Sequence, residues 1–252
     1  MTMPTVGDRI RLHRYGSSPA AAALLYCFPH AGGSAPFFRT WPMLLPKGVA
    51  LRALQLPGRQ DLLAAPPFTR MTELASVAAR QITADADGLP FALFGHSMGA
   101  LAAFETTREL RRLGLPLPRA VGVSAARAPH LPRFTVASTE LTDEQLVRRV
   151  DELGGMPAEV LADPDLIELA LPSLRADFEL LETHVHVAEP PLDVPLLVYG
   201  GTADEHVPPE SLAGWAEHTT SPIRLRRLSG DHFYLTRWSS RIVADLCDGL
   251  TR

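Results

Sequence analysis

Lysine is almost absent: Lys47 is the only one in 252 residues, and the arginines carrying the remaining positive charge form no block. With a formal net charge of -4 as well, the chain has no electrostatic footprint for nucleic acid or an anionic membrane surface, and neither is expected as a partner. Cysteine is nearly as scarce. Cys27, in an apolar run, and Cys247, near the C-terminus, make neither a disulfide framework nor a metal-binding spacing, so both read as buried reduced thiols. No apolar stretch is long enough to span a bilayer, there are no repeats, and the alanine run 20–23 is the only low-complexity segment. A His-Glu-x-x-His helix and a Cys/His cluster are also missing, which removes the usual sequence signs of a metal site.

What is present is the composition of one folded domain, 46% hydrophobic and 21% charged, with length enough for a single well-filled core. Arg9, Arg11 and Arg14 followed by the apolar run 20–28 imitate a secretory signal. That run is short, begins late and leads straight into Pro29-His30-Ala31-Gly32-Gly33, so a cytoplasmic protein is expected.

Short apolar or β-branched runs at 22–28, 50–56, 91–94, 120–124, 195–199 and 223–228 alternate with helical stretches, and 10–15 reads as an antiparallel edge. This predicts an α/β fold with a mostly parallel central sheet flanked by helices. Helices are expected over 72–84, with Thr72 as N-cap, over 97–113, and at the C-terminus, where Trp238, Ile242, Leu246 and Leu250 mark an apolar face. Between 129 and 191 the alternation stops. Helices at 142–153 and 158–186, separated by Gly154-Gly155-Met156-Pro157, read as a helical lid inserted into a single domain spanning 1–252.

The chemistry is written most clearly in Phe94-Gly95-His96-Ser97-Met98-Gly99, a G-x-S-x-G pattern placed between a strand and a helix. A serine on so sharp a turn projects its hydroxyl outward, and small residues on either side let the chain fold back on itself. Ser97 is therefore the candidate nucleophile, with His96 a packed supporting residue. A hydroxyl becomes an effective nucleophile when a neutral imidazole takes its proton and a carboxylate orients that imidazole, here in the chain order serine, acid, histidine. Asp204, after the run 195–199 and Gly200-Gly201, is the candidate acid, with Glu205 as runner-up. His232, after the last strand, is the candidate base; His206 and His218 are expected at the surface, as are His184 and His186. Asp231 reads as a turn former. Backbone N–H groups of Met98 and Ala31, the latter in the glycine loop after the first parallel strand, are the candidate oxyanion hole.

These segments, together with Gln55-Leu56-Pro57-Gly58-Arg59, Tyr199-Gly200-Gly201 and Gly230-Asp231-His232-Phe233-Tyr234-Leu235, make nearly the whole chain resemble type II, or editing, thioesterases of polyketide synthase and non-ribosomal peptide synthetase systems. The resemblance implies the α/β-hydrolase fold and hydrolysis of acyl groups from the phosphopantetheine arm of acyl or peptidyl carrier proteins. It implies no cofactor beyond the arm that the substrate itself carries. After Arg59 the family pattern often continues with Glu, whereas Gln60-Asp61 follow here, so Arg59 is assigned no role from the resemblance.

Overall fold

A computed structural model describes residues 9–16, 21–132, 137–156, 158–248 and 250. Seven strands form one sheet: β1 (Arg11–Tyr15), β2 (Ala23–Phe28), β3 (Val49–Gln55), β4 (Phe91–His96), β5 (Val121–Ser124), β6 (Leu196–Gly201) and β7 (Arg224–Leu228). Their spatial order is β1-β3-β2-β4-β5-β6-β7, with β1 antiparallel to β3 and every other pairing parallel. The helices are α1 (Met71–Ala86), α2 (Met98–Arg112), α3 (Asp143–Glu152), α4 (Ala158–Leu161), α5 (Pro164–Glu182), α6 (Pro209–Ala213) and α7 (Leu235–Cys247). None of the described helices is long and apolar enough to cross a membrane.

The two-residue period of a strand divides the core. Leu24, Tyr26 and Phe28 of β2 face one way and pack with Leu74 and Ile82 of α1 and with Leu101 and Phe104 of α2. Ala23, Leu25 and Cys27 face the other way, against Phe38, Trp41 and the Ile242, Val243 and Leu246 stripe of α7. Both faces of the central strands are thus covered, which is why they read as continuous apolar runs rather than alternating ones. The edge strand β7 differs. Its three arginines leave it half-exposed, which discourages pairing with another chain.

Three details differ from expectation. Helix α1 starts at Met71, so Thr72 lies inside the first turn and makes no cap; burying Met71 in the core decides the start, not a capping hydroxyl. His218 is buried rather than at the surface, because the turn Gly214–His218 drives Trp215 into the core and takes the histidine with it. The His184 side chain is also covered, 5% exposed, since it meets Glu105 of α2. Both cysteines are free and buried, as expected, and burial pushes the Cys27 thiol well up and that of Cys247 to about 11.

Helices α3 to α5 fill the connection between β5 and β6 and have a small core of their own, Leu146, Val150, Leu174 and Phe178. A capping box between Thr142 and Gln145 starts α3, and Gly154, at φ +74°, follows its end. Pro157 of the expected break, and 133–136 at the start of the expected insertion, lie outside the described residues.

Candidate active site

Strand β4, buried along its whole length, delivers the chain to Ser97, and α2 begins one residue later. Ser97 has φ 55° and ψ -116°, a conformation unfavourable for a side chain with a Cβ. Two close approaches hold it there. A Cβ on Gly95 would lie 1.9 Å from the Gly99 carbonyl oxygen, and one on Gly99 would lie 2.3 Å from that of Phe28, so only glycine lets α2 sit this close to β4 and β2. The Ser97 N–H donates to the Ser124 carbonyl at 2.7 Å, which ties the turn to β5.

Asp204 follows β6 and His232 follows β7, and their loops meet where Gly201 passes the Asp231 carbonyl. Asp204 Oδ2 accepts a hydrogen bond from His232 Nδ1 at 2.8 Å, while Oδ1 accepts from the N–H groups of His206 and Val207 at 3.0 and 3.2 Å. The carboxylate side chain is fully covered and the imidazole is 6% exposed. Burial by itself would raise the Asp204 pKa, but the hydrogen bond and charge of His232, with the two backbone N–H groups, hold it below the ordinary aspartate value. An ionised carboxylate only accepts, so Nδ1 carries the proton in this pair and Nε2 is left to accept one. Glu205 is exposed and takes no part in the contact. Asp231 forms the expected turn, its Oδ1 accepting from the Phe233 N–H at 2.9 Å.

The glycine loop after β2 turns tightly, with Gly32 at φ +73° and the Gly33 N–H donating to the His30 carbonyl at 2.9 Å. The Gly32 N–H is taken by Asp177 of α5 at 2.7 Å. The Ala31 N–H, one residue before, makes no hydrogen bond among the described residues. His30 is packed between the Phe37 and Phe233 rings, each 4.8 Å away, and burial, followed by the charges of His232 and Arg59, lowers its pKa to about 3. It is neutral at physiological pH.

Ser97, His232, Ala31 and Met98 all line one cavity of about 330 Å³. Its apolar lining comes largely from the connection between β5 and β6, with Val150, Leu153, Phe178 and Leu181, joined by Leu101 and Val207, while Arg127, Arg149, Glu205 and His206 add polar groups. The arrangement can activate a hydroxyl, hold a developing oxyanion and receive an apolar acyl group. Among the described residues no three His, Cys, Asp or Glu side chains form a group that could hold a metal ion.

His96 is buried and hydrogen-bonded, as expected of a supporting residue, but its partners, and that of Arg59, escaped the sequence reading. His96 Nδ1 is 2.9 Å from Ser124 Oγ, which is 2.6 Å from the Tyr234 hydroxyl, a buried chain joining the end of β4, just before Ser97, to the residue that precedes α7. Arg59 makes a forked ion pair with Asp177, 118 residues away. The available signal was a carboxylate on the apolar side of α5 beside Ala176 and Phe178, a position that demands a buried partner.

The family model of the thioesterase domain matches residues 23–250. The chain belongs to the thioesterase family. Thioesterase PikA5 of Streptomyces venezuelae is 36% identical over 97% of this chain and 87% of its own. Among solved structures, the RedJ thioesterase from the prodiginine pathway of Streptomyces coelicolor is 38% identical, with a TM-score of 0.85 over 90% of both chains. The type II thioesterase BorB from the borrelidin biosynthetic cluster is 36% identical, with a TM-score of 0.86 over 99% of this chain and 100% of its own. The expected α/β-hydrolase fold and the resemblance to type II thioesterases are both borne out, and the protein is a thioester hydrolase.

Proposed function

We propose that this thioesterase removes acyl groups from the phosphopantetheine arm of acyl or peptidyl carrier proteins, clearing stalled or misprimed chains from a polyketide or non-ribosomal peptide assembly line in the cytoplasm. Ser97 is the nucleophile, His232 the base, Asp204 the acid that orients it, and Ala31 and Met98 the oxyanion donors. The observation that carries this reading is the buried His232–Asp204 hydrogen bond of 2.8 Å behind a cavity that also exposes the strained Ser97.

In this mechanism His232 Nε2 takes the Ser97 proton as Oγ attacks the thioester carbonyl, and the negative charge on the carbonyl oxygen meets the Ala31 and Met98 N–H groups. The tetrahedral intermediate collapses with loss of the pantetheine thiol, to which His232 returns the proton. Water, deprotonated by the same imidazole, then hydrolyses the acyl-serine ester. Thiolates leave readily, so the reaction needs no metal or cofactor beyond the arm brought by the substrate. The segment 129–191 serves as a lid: its α3 and α5 contribute Val150 and Phe178 to the acyl wall.

The test compares Ser97→Ala with the wild type on acyl groups loaded on carrier proteins and on the matching free oxygen esters. Folded but inert Ser97→Ala, with a wild-type preference for the carrier thioester, is the expected result. Retained turnover in Ser97→Ala, or faster hydrolysis of the oxygen ester by the wild type, would overturn it.

A further inference from the structure

Arg59 Nη1 and Nη2 donate to Asp177 Oδ2 and Oδ1 at 2.6 and 2.7 Å, a two-pronged contact between the end of the Gln55-Leu56-Pro57-Gly58-Arg59 segment and α5. Their side chains are only 8% and 2% exposed. A buried pair of this kind is poorly explained by stability, since the desolvation of two charges offsets much of their attraction. Its surroundings offer another reason. Arg59 Nη1 also donates to the Gly33 carbonyl at 3.0 Å, and Asp177 Oδ2 also accepts the Gly32 N–H at 2.7 Å. Gln55, four residues before Arg59, accepts the Ala35 N–H at 3.0 Å through Oε1. The backbone on the C-terminal side of Ala31 is therefore gripped at three points, by side chains from β3, the loop after it, and α5. Leu174, one turn before Asp177, lies where a Cβ on Gly32 would come within 3.1 Å, so α5 also packs directly on this turn.

We infer that Arg59 and Asp177 are a positioning pair that sets the backbone of the 31–33 turn, and with it the Ala31 N–H, for the tetrahedral intermediate. Neither side chain is among those lining the cavity, so neither touches the reacting atoms; both act through Gly32 and Gly33. The inference rests on the proposal that Ala31 is an oxyanion donor. Because Asp177 belongs to α5, the lid and the oxyanion hole are braced by one carboxylate, and the charge pair fixes both at once.

The test is the double variant Arg59→Met/Asp177→Leu, which replaces the buried pair by apolar side chains and leaves neither charge stranded. It is expected to unfold cooperatively near or above the wild-type Tm, with KM for an acyl-carrier substrate within about 2-fold and kcat lower on the order of 10²-fold, as for a displaced catalytic group. Affinity for an acyl trifluoromethyl ketone, which forms an oxyanion-bearing adduct with Ser97, should fall with kcat, while affinity for a thioether substrate analogue holds. Arg59→Lys keeps the charge beside Asp177 but loses the fork, and it supplies the same readout if the double variant does not fold. For it, kcat should fall about 10-fold. Wild-type kcat in a folded variant, or a loss confined to KM, overturns the inference. Ser97→Ala assayed alongside separates the two levels: if it is inert while the pair variants are fully active, only the positioning role fails; if it turns over, the underlying mechanism fails.

Discussion

Gly201→Ala changes one hydrogen to a methyl at the crossing of the loops that carry Asp204 and His232. A Cβ there would lie 2.2 Å from the Asp231 carbonyl oxygen and 2.6 Å from that of Gly230. Gly201 is not among the glycines with positive φ, so the backbone itself would accept alanine and the contact alone decides the outcome. The obstructing atoms are main chain and cannot swing aside. The loops must therefore part by about 1 Å, enough to cost on the order of 1–3 kcal/mol as overpacking. They are joined by Thr202 N–H to Leu228 O and Ala203 N–H to Gly230 O, both 2.9 Å, and they bring Asp204 within 2.8 Å of His232. Adding about 1 Å takes that last contact beyond hydrogen-bond range, and a displacement of this size lowers catalysis on the order of 10²-fold. The assay is release of free thiol from an acyl-pantetheine thioester, read as kcat, with thermal unfolding in parallel. Gly114→Ala is the control. Gly114 has φ +65° and no atom within 4 Å of the place its new methyl group would occupy, so it should lose stability of about 1 kcal/mol while kcat stays at the wild-type value. Wild-type kcat in Gly201→Ala would refute the reasoning.

Asp204→Asn should fold and lose kcat by up to about 10⁴-fold, the scale of a wrong-tautomer defect in triads of this kind, whereas Glu205→Gln should be nearly silent; the reverse result would identify Glu205 as the acid. His218 is pushed down to about 4, first by burial and then by His186, His130 and Arg108, so below its ordinary value of 6.5 the unfolded chain binds a proton that the folded chain refuses. Stability should therefore fall as pH drops from about 6.5 to 4, and His218→Gln should flatten that slope by about 1.4 kcal/mol per pH unit in denaturant titrations. An unchanged slope would mean that His218 takes up its proton while folded. For Glu189 the sign is opposite: burial would raise it, but Arg111, Arg112 and Arg108 hold it down at about 2 against an ordinary 4.5. Glu189→Gln should lower Tm at pH 7, and the gap should close as pH falls from about 4.5 toward 2; a gap independent of pH would exclude the charge as its source.

The triad candidates were legible because each is announced by its immediate neighbours. An apolar run ending in Gly-x-Ser-x-Gly and opening a helix specifies a sharp turn at the serine, with close backbone approaches on either side that only glycine permits, as the distances at Gly95 and Gly99 show. Asp204 and His232 follow strands, and strand ends on one side of a parallel sheet necessarily converge, so their order along the chain already located them. The α7 stripe was equally local, a spacing of four on one helix face. What the sequence by itself did not decide was whatever depends on packing between distant segments. Thr72 carried the right side chain for a cap, yet the burial of Met71 set where α1 begins. His218 and His184 sat in polar-looking stretches, but Trp215 and Glu105 drew them under cover. Arg59 had a motif and no stated purpose until the fold brought Asp177 to it across 118 residues. Periodicity and turn chemistry are properties of a short window of chain, whereas the partner of a buried charge is chosen only when α5 packs against the turn after β2, because only then is water no longer there to solvate it.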